Sequence, residues 1–177
     1  EKKFKILGIL DNSKKIGTYV GKYKILGKDK DILKYKRFSN NILISVGHVN
    51  NNQIREKIFK RYKKIGFKFP IIISPFARVS KNSKIEEGSI IHHNVVINSG
   101  VLVGKNCIIN TNAIIEHDSV IKNHTHISTS VTVNGNVEVG KNTFIGSGSI
   151  LKNSTKIKSF SFIKMGSIIK KWKKIKK

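Results

Sequence analysis

The sequence is short of several things, and each shortage narrows what the chain can be. One Cys among 177 residues excludes a disulfide framework, and nothing resembles a Cys-rich zinc motif. There is no run of 18 apolar residues, so no segment reads as a transmembrane helix. Residues 1–10 alternate Lys with apolar residues and offer no cleavage site, so no signal peptide is expected and the cytoplasm is the simplest compartment. Acidic residues are scarce: 10 Asp and Glu stand against 35 Lys and Arg, a formal net charge of +25. Such a balance suits a polyanionic partner. The Lys are spread along the chain, however, and Lys, Ile and Asn are abundant together, as A/T-rich codons would make them. No nucleic-acid motif is present, and no nucleic-acid partner is expected. A basic surface also suits anionic small molecules such as coenzyme A and nucleotide sugars.

What is abundant is regular. From Ile73 to Ile175 every sixth residue is Ile, Val or Leu, 18 positions without a slip. Four residues after each comes a small or β-branched residue, as at Ser89, Val95, Val101, Cys107, Ala113 and Ser119. A helix needs an apolar period of 3.6 and a flat strand one of 2. A period of six fits a short strand followed by a corner, and three such units close a triangular coil of 18 residues. The chain is therefore expected to be a β-solenoid whose coils stack about 4.8 Å apart, because one coil cannot bury its own core. Gly88, Gly100, Gly104, Gly140 and Gly146, with Asn82, Asn94, Asn106 and Asn142, are expected at turns that want positive φ. Cys107 falls in the interior column, as a packed thiol and not a nucleophile.

Residues 1–69 read differently. Phe4–Leu10 and Asn41–Val46 look like strands, Tyr23–Gly27 like an extended segment, and 29–35 like a short helix. A second helix is expected over 50–64, capped by Asn50–Asn52, with Ile54, Ile58 and Tyr62 on its apolar face. This is a small parallel α/β layer, and 66–70 links it to the solenoid at 70–177. Ligands of such layers sit beyond the carboxyl ends of the strands, where Asp11, Asn12, Gly47 and His48 fall. Asp11 and Asn12 fit a plain turn equally well.

Stacking at 18 residues places Lys81, Ser99, His117, Gly135, Asn153 and Lys171 in one outward column. His117 beside Gly135 implies an open notch next to an imidazole. A His is the side chain that supplies a base near neutral pH, and Asp118 or Glu116 is placed to fix its tautomer. His126 lies nine residues on, half a coil away, so one prism cannot bring both histidines to one ligand. If both serve one site, a second chain supplies one of them. His92, His93 and His124 read as surface residues, and their spacing matches no three-histidine metal site, so no metal is expected.

The runs "FKILGILDN", "ILISVGHVNNNQIREKIF" and "NTNAIIEHDSVIKNHTHIS" resemble the sialic-acid O-acetyltransferase (NeuD-like) family, which includes the PglD-like N-acetyltransferases of UDP-amino sugars. The resemblance covers nearly the whole chain. It implies a mainly β fold, a left-handed parallel β-helix preceded by a small Rossmann-like α/β domain. It implies acetyl transfer from acetyl-CoA, with His117 as base and Asp118 as its partner. It places His126, Gly135, Ile145 and Gly146 at acetyl-CoA, and Asp11, Asn12 and Gly47 at the nucleotide sugar. It also implies homotrimers with sites between subunits. The acceptor is expected to be the amino group of a nucleotide-linked amino sugar in surface-glycan synthesis. Alternatives are O-acetylation of sialic acid or a related sugar, or a non-catalytic hexapeptide scaffold. Corner N–H groups would hold the thioester oxygen. Two departures stand out. The first strand and Gly-Gly-His loop of the family have no counterpart, so the α/β domain is expected to be truncated. The chain closes on 170–177, Lys-Lys-Trp-Lys-Lys-Ile-Lys-Lys, in place of a Pro-Ala-Lys segment. That stretch reads as a solvated basic cap, with contact to anionic lipid as the other reading.

Overall fold

A computed structural model describes residues 4–47 and 53–170. The expected caps Asn50–Asn52, His48 and the basic segment 171–177 lie outside the described residues. By its contacts the chain divides into two compact units, 1–41 and 42–177. The composition boundary at 69/70 falls later because residues 53–64 pack against the first coils of the solenoid.

In the first unit, β1 (Ile9–Leu10) pairs in parallel with β3 (Tyr23–Gly27), and β2 (Tyr19–Val20) pairs antiparallel on the other side of β3. A 3₁₀ turn at Asp29–Asp31 runs into α1 (Ile32–Tyr35), where a short helix was expected. Only Ile9–Leu10 of the Phe4–Leu10 run forms a ladder, and Phe4, Ile6 and Leu7 are exposed. In the second unit, 42–47 forms no strand, although Ile42 N–H donates to Lys68 O. Then α2 (Gln53–Lys64) buries Arg55, Phe59 and Tyr62. Its inner face is thus rotated by one residue from the Ile54/Ile58 stripe, and Ile54 is exposed.

The solenoid is a left-handed parallel β-helix with strands of two residues. Every described ladder pairs residue i with i+18, as in Ile90 with Ile108 and Ile108 with His126. Three sheets form the faces: a first running from Ile72–Ile73 to Phe162–Ile163, a second from Arg78–Val79 to Ile168–Ile169, and a third from Lys84–Ile85 to Lys156–Ile157. In the central coils the second residue of each strand points inward, so Ile91, Ile97, Val103, Ile109, Ile115 and Ile121 stack into one core. The small column lines the corners inside, and its hydroxyls are satisfied. Ser89, Ser119, Thr125, Thr143 and Ser149 each donate to the carbonyl 15 residues on. A small polar residue is tolerated there because its one donor finds a main-chain acceptor. Cys107 occupies the same column, and burial pushes its thiol up to about 12. It is no nucleophile.

Corners carry left-handed φ at Gly88, Gly100 and Gly148, but also at Asn94, Asn106, Asn112, Asp118, His124, Asn136 and Asn142. The expectation was wrong for Asn82, Gly104, Gly140 and Gly146, since none has a positive φ. The three glycines are there because the next coil comes too close. A side chain at Gly140 or Gly146 would run into the backbone of Ser159 or Met165.

Candidate active site

His117 and Asp118 form the corner between the second and third sheets. Asp118 takes the left-handed position at φ 58, a conformation that short polar side chains adopt at modest cost. That turn aims its carboxylate back at the preceding residue, and His117 Nδ1 lies 2.9 Å from Asp118 Oδ2. With an ionised carboxylate there, Nδ1 carries the proton and donates, which leaves Nε2 as the basic nitrogen. Glu116, the other candidate partner, is engaged elsewhere: it accepts from Asn98 Nδ2 at 2.7 Å.

The predicted column is present. Asp118 N–H donates to Ser99 O one coil below, and Asn136 N–H donates to His117 O from one coil above. The notch is not empty, however. The His117 ring fills it. A methyl group at position 135 would stand 2.5 Å from His117 Nε2 and 2.7 Å from Cε1. Gly135 therefore seats the His117 imidazole. A second glycine, expected at a turn and found there, does the same for the Asp118 carboxylate: a side chain at Gly100 would overlap Asp118 Oδ1. Its φ of +73 does not by itself require Gly, because equivalent corners use Asn, Asp, Ser and His. The imidazole and its carboxylate thus lie in a slot bounded above and below by glycines, both side chains more than half exposed.

His126 sits on the first sheet, not at the His117 corner, so the structure does not bring the two together within one chain. It is buried, stacks edge-on against Phe144 at 5.2 Å, and has Asn110 Nδ2 at 3.4 Å from its Nε2. Phe144 in turn stacks on Phe162 at 5.1 Å. Nearby Ser128 Oγ and Ser147 Oγ are 2.8 Å apart, and Gly148 faces open space. Ile145 departs from expectation: its side chain is wholly inside the core, because it is the inward residue of its strand. Gly146 is held by the coil above it. Only the main chain of these two is left for a ligand.

Asp11 and Asn12 are spent on a turn. Asp11 Oδ1 accepts from Ser13 N, Ser13 Oγ and Lys14 N, which hold its carboxyl below the usual range. Asn12 exchanges two hydrogen bonds with Asp29. Gly47 is exposed, and a side chain there would meet nothing among the described residues.

Two buried polar residues gave no signal in the sequence. Arg55, from α2, donates to Ile44 O at 2.5 Å and Val46 O at 3.1 Å, with Gly88 O and Asn106 O at 3.4 Å. Among the described residues no carboxylate pairs with it, and burial lowers it to about 10. It ties 44–46 to two solenoid corners. His124, expected at the surface, is buried under α2 instead: Phe59 meets its ring edge-on at 5.6 Å and Asn106 Nδ2 lies 2.9 Å from Nδ1. Desolvation lowers it, against the pull of Glu56 at 3.9 Å. His93 is exposed beside Phe76, and His92 is half-buried. Among the described residues no three His, Cys, Asp or Glu converge as metal ligands.

Residues 1–62 match the model of the PglD N-terminal domain, and 82–117 match that of the bacterial transferase hexapeptide (six repeats). The chain thus carries a stretch similar to the PglD N-terminal domain, followed by hexapeptide repeats of the bacterial transferase type. The acetyltransferase domain of PglB from Neisseria gonorrhoeae is similar over 93% of this chain and 78% of its own, with a TM-score of 0.84 and 28% identity. The same domain has been crystallised with acetyl coenzyme A. A variant of the perosamine N-acetyltransferase of Caulobacter crescentus, in complex with CoA and GDP-perosamine, shares the fold at a TM-score of 0.86. It is 24% identical, over 93% of this chain and 76% of that one. No curated protein sequence matches the chain.

Proposed function

We propose that this PglD-like protein transfers an acetyl group from acetyl-CoA to the amino group of a nucleotide-linked amino sugar, in the cytoplasm, for surface-glycan synthesis. The observation that carries the reading is the His117–Asp118 pair, with Nδ1 committed to the carboxylate and Nε2 seated over Gly135. The chemistry is direct transfer. The sugar amine attacks the thioester carbonyl, an N–C bond forms, the C–S bond breaks, and His117 Nε2 takes the proton that the amine must lose. Asp118 stabilises the imidazolium that results. The CoA thiolate leaves and can take that proton from His117. No protein nucleophile is needed, and Cys107 could not serve. The proposed contacts of the donor are His126 and Ser128, both largely covered within one chain, and the exposed Phe162 that stacks on Phe144, with open space at Gly148. Asp11, Asn12 and Gly47 are the proposed contacts of the nucleotide sugar. The first two would have to act through groups that the turn leaves over.

We also propose a homotrimer, with His117 from one subunit and His126 from its neighbour in each site. Release of CoA thiol is measured with a UDP-linked amino sugar, GDP-perosamine and free sialic acid as acceptors. A nucleotide amino sugar is expected to react, and His117→Ala to lower the rate at least about a hundredfold while the fold is kept. Turnover of sialic acid alone would transfer the reading to O-acetylation. For the shared site, His117→Ala and His126→Ala chains are refolded together. Mixed trimers contain some interfaces with both histidines intact, so activity should exceed that of either variant. No rescue, with both variants folded, trimeric and inactive alone, rejects the shared site.

A further inference from the structure

Three features set the C-terminal part of the chain and its last described coil apart from the rest. The first is chemical. Residues 139–177 hold eleven Lys and no Asp or Glu, so all ten acidic residues of the chain lie at or before Glu138. The second is exposure. Phe160 is 62% exposed, Met165 80% and Ile168 62%. The outer face of a solenoid coil is ordinarily polar where it meets water. This one shows three apolar side-chain types, interleaved with the exposed Lys158, Lys164 and Lys170. The third is strain. Phe160 occupies a corner with φ 62, and it is the one apolar residue among the ten described non-glycine residues of positive φ. The other nine are Asn, Asp, Ser or His, which meet that conformation with a short polar side chain. A bulky ring there is not asked for by the corner. It is held in an unfavoured backbone, pointing into solvent with Lys141 Nζ 5.6 Å from its centroid. Strain retained at an exposed position points to use.

We propose that the last coil docks on an anionic phospholipid surface. Phe160, Met165 and Ile168 enter the interfacial layer, and the lysines around them meet the headgroup phosphates. Exposed aromatic and aliphatic side chains with a one-signed ring of Lys are the combination that interfacial binding requires: the apolar part supplies depth and the cations supply preference for anionic lipid. Nucleic acid would account for the lysines but not for Met165 and Ile168. The partner is therefore a membrane surface and not a polyanion at large. Docking of this kind would concentrate the protein at the bilayer with no spanning segment. Among the described residues no helix is long and apolar enough to cross a membrane.

The test uses the full chain and flotation with vesicles of phosphatidylcholine, alone or mixed with phosphatidylglycerol, at about 0.1 M salt, where screening extends over about 10 Å. Binding is expected to the mixed vesicles only, and to weaken as salt rises. The variant Phe160→Asn with Met165→Ser should lose about tenfold or more in partitioning. Its urea midpoint should be equal to or higher than that of the parent, since Asn suits the left-handed corner. That pairing separates loss of docking from loss of fold. Lys158→Gln with Lys164→Gln and Lys170→Gln should flatten the salt dependence. The proposal is overturned by any of three results: no binding to anionic vesicles, undiminished binding by the Phe160/Met165 variant, or single-stranded RNA that binds as tightly and displaces the vesicles.

Discussion

Gly135→Ala is the smallest change that should disable the site without touching the fold. The added methyl would stand 2.5 Å from His117 Nε2, and ordinary contact begins near 3.4 Å, so the ring must retreat by about 0.9 Å. Nothing in the backbone opposes the substitution, because Gly135 has no positive φ, and the clash is with the end of an exposed side chain. The stability change should stay within about 1 kcal/mol. The catalytic cost should not. A misplacement of about 1 Å can cost about 10²-fold, which is about 2.7 kcal/mol at the barrier. The assay is kcat/KM for CoA release beside a urea melt. A proton NMR titration of His117 reports whether the Asp118 contact survives. Gly146→Ala is the control: there the methyl would meet the backbone of Met165, Lys164 and Ile163, which cannot swing away, so about 1–3 kcal/mol of stability should be lost. If Gly135→Ala keeps kcat/KM within threefold of the parent, taking about threefold as the edge of a minor effect, the seat does not fix the base and the assignment of Nε2 is wrong.

Arg55→Met should destabilise the second unit by about 1–3 kcal/mol, since Ile44 O and Val46 O lose their buried donor, and hydrogen exchange should quicken at 42–47. An unchanged melt would mean that the buried charge was merely tolerated. His124 should make the fold acid-sensitive. Its folded pKa lies below the ordinary 6.5, so the unfolded chain takes up the proton first as pH falls. Stability is then full above about 6.5 and is lost below it. His124→Asn, which suits the same φ of +60, should blunt that loss in urea melts taken on either side of this pH. An equally steep loss in the variant would assign the effect to other groups, with Glu56 acting in a lower window because its own pKa is depressed.

The repeat was legible because a period of six allows one register. Once Ile115 and Ile121 point inward, His117 must point out, and 18 residues to the coil put Gly135 beside it. What the period cannot say is what stands outside the prism. Nothing in Arg55 or His124 distinguishes them from surface residues until α2 is laid on the corner of Gly88, Asn106 and His124, where carbonyls and an imidazole need covering. The helix misled for the same reason. Ile54 and Ile58 repeat at helical spacing, but the face that fits a corner already holding Phe69 and His124 is the one bearing Phe59. The glycines carry the subtler lesson. Gly148 has only its φ to answer to, Gly88 also the Phe59 ring 2.9 Å from where a Cβ would stand, Gly140 and Gly146 the approach of the next coil, and Gly100 and Gly135 neither backbone nor core. Asn would suit the corner at Gly100, and any small residue the backbone at Gly135. What forbids a side chain at these two positions is, in each case, one atom of the His117–Asp118 pair, reached across a single coil: Asp118 Oδ1 from below and His117 Nε2 from above. A glycine that neither the backbone nor the core requires is evidence for the side chain that fills its space, and here two such glycines converge on the same imidazole and carboxylate.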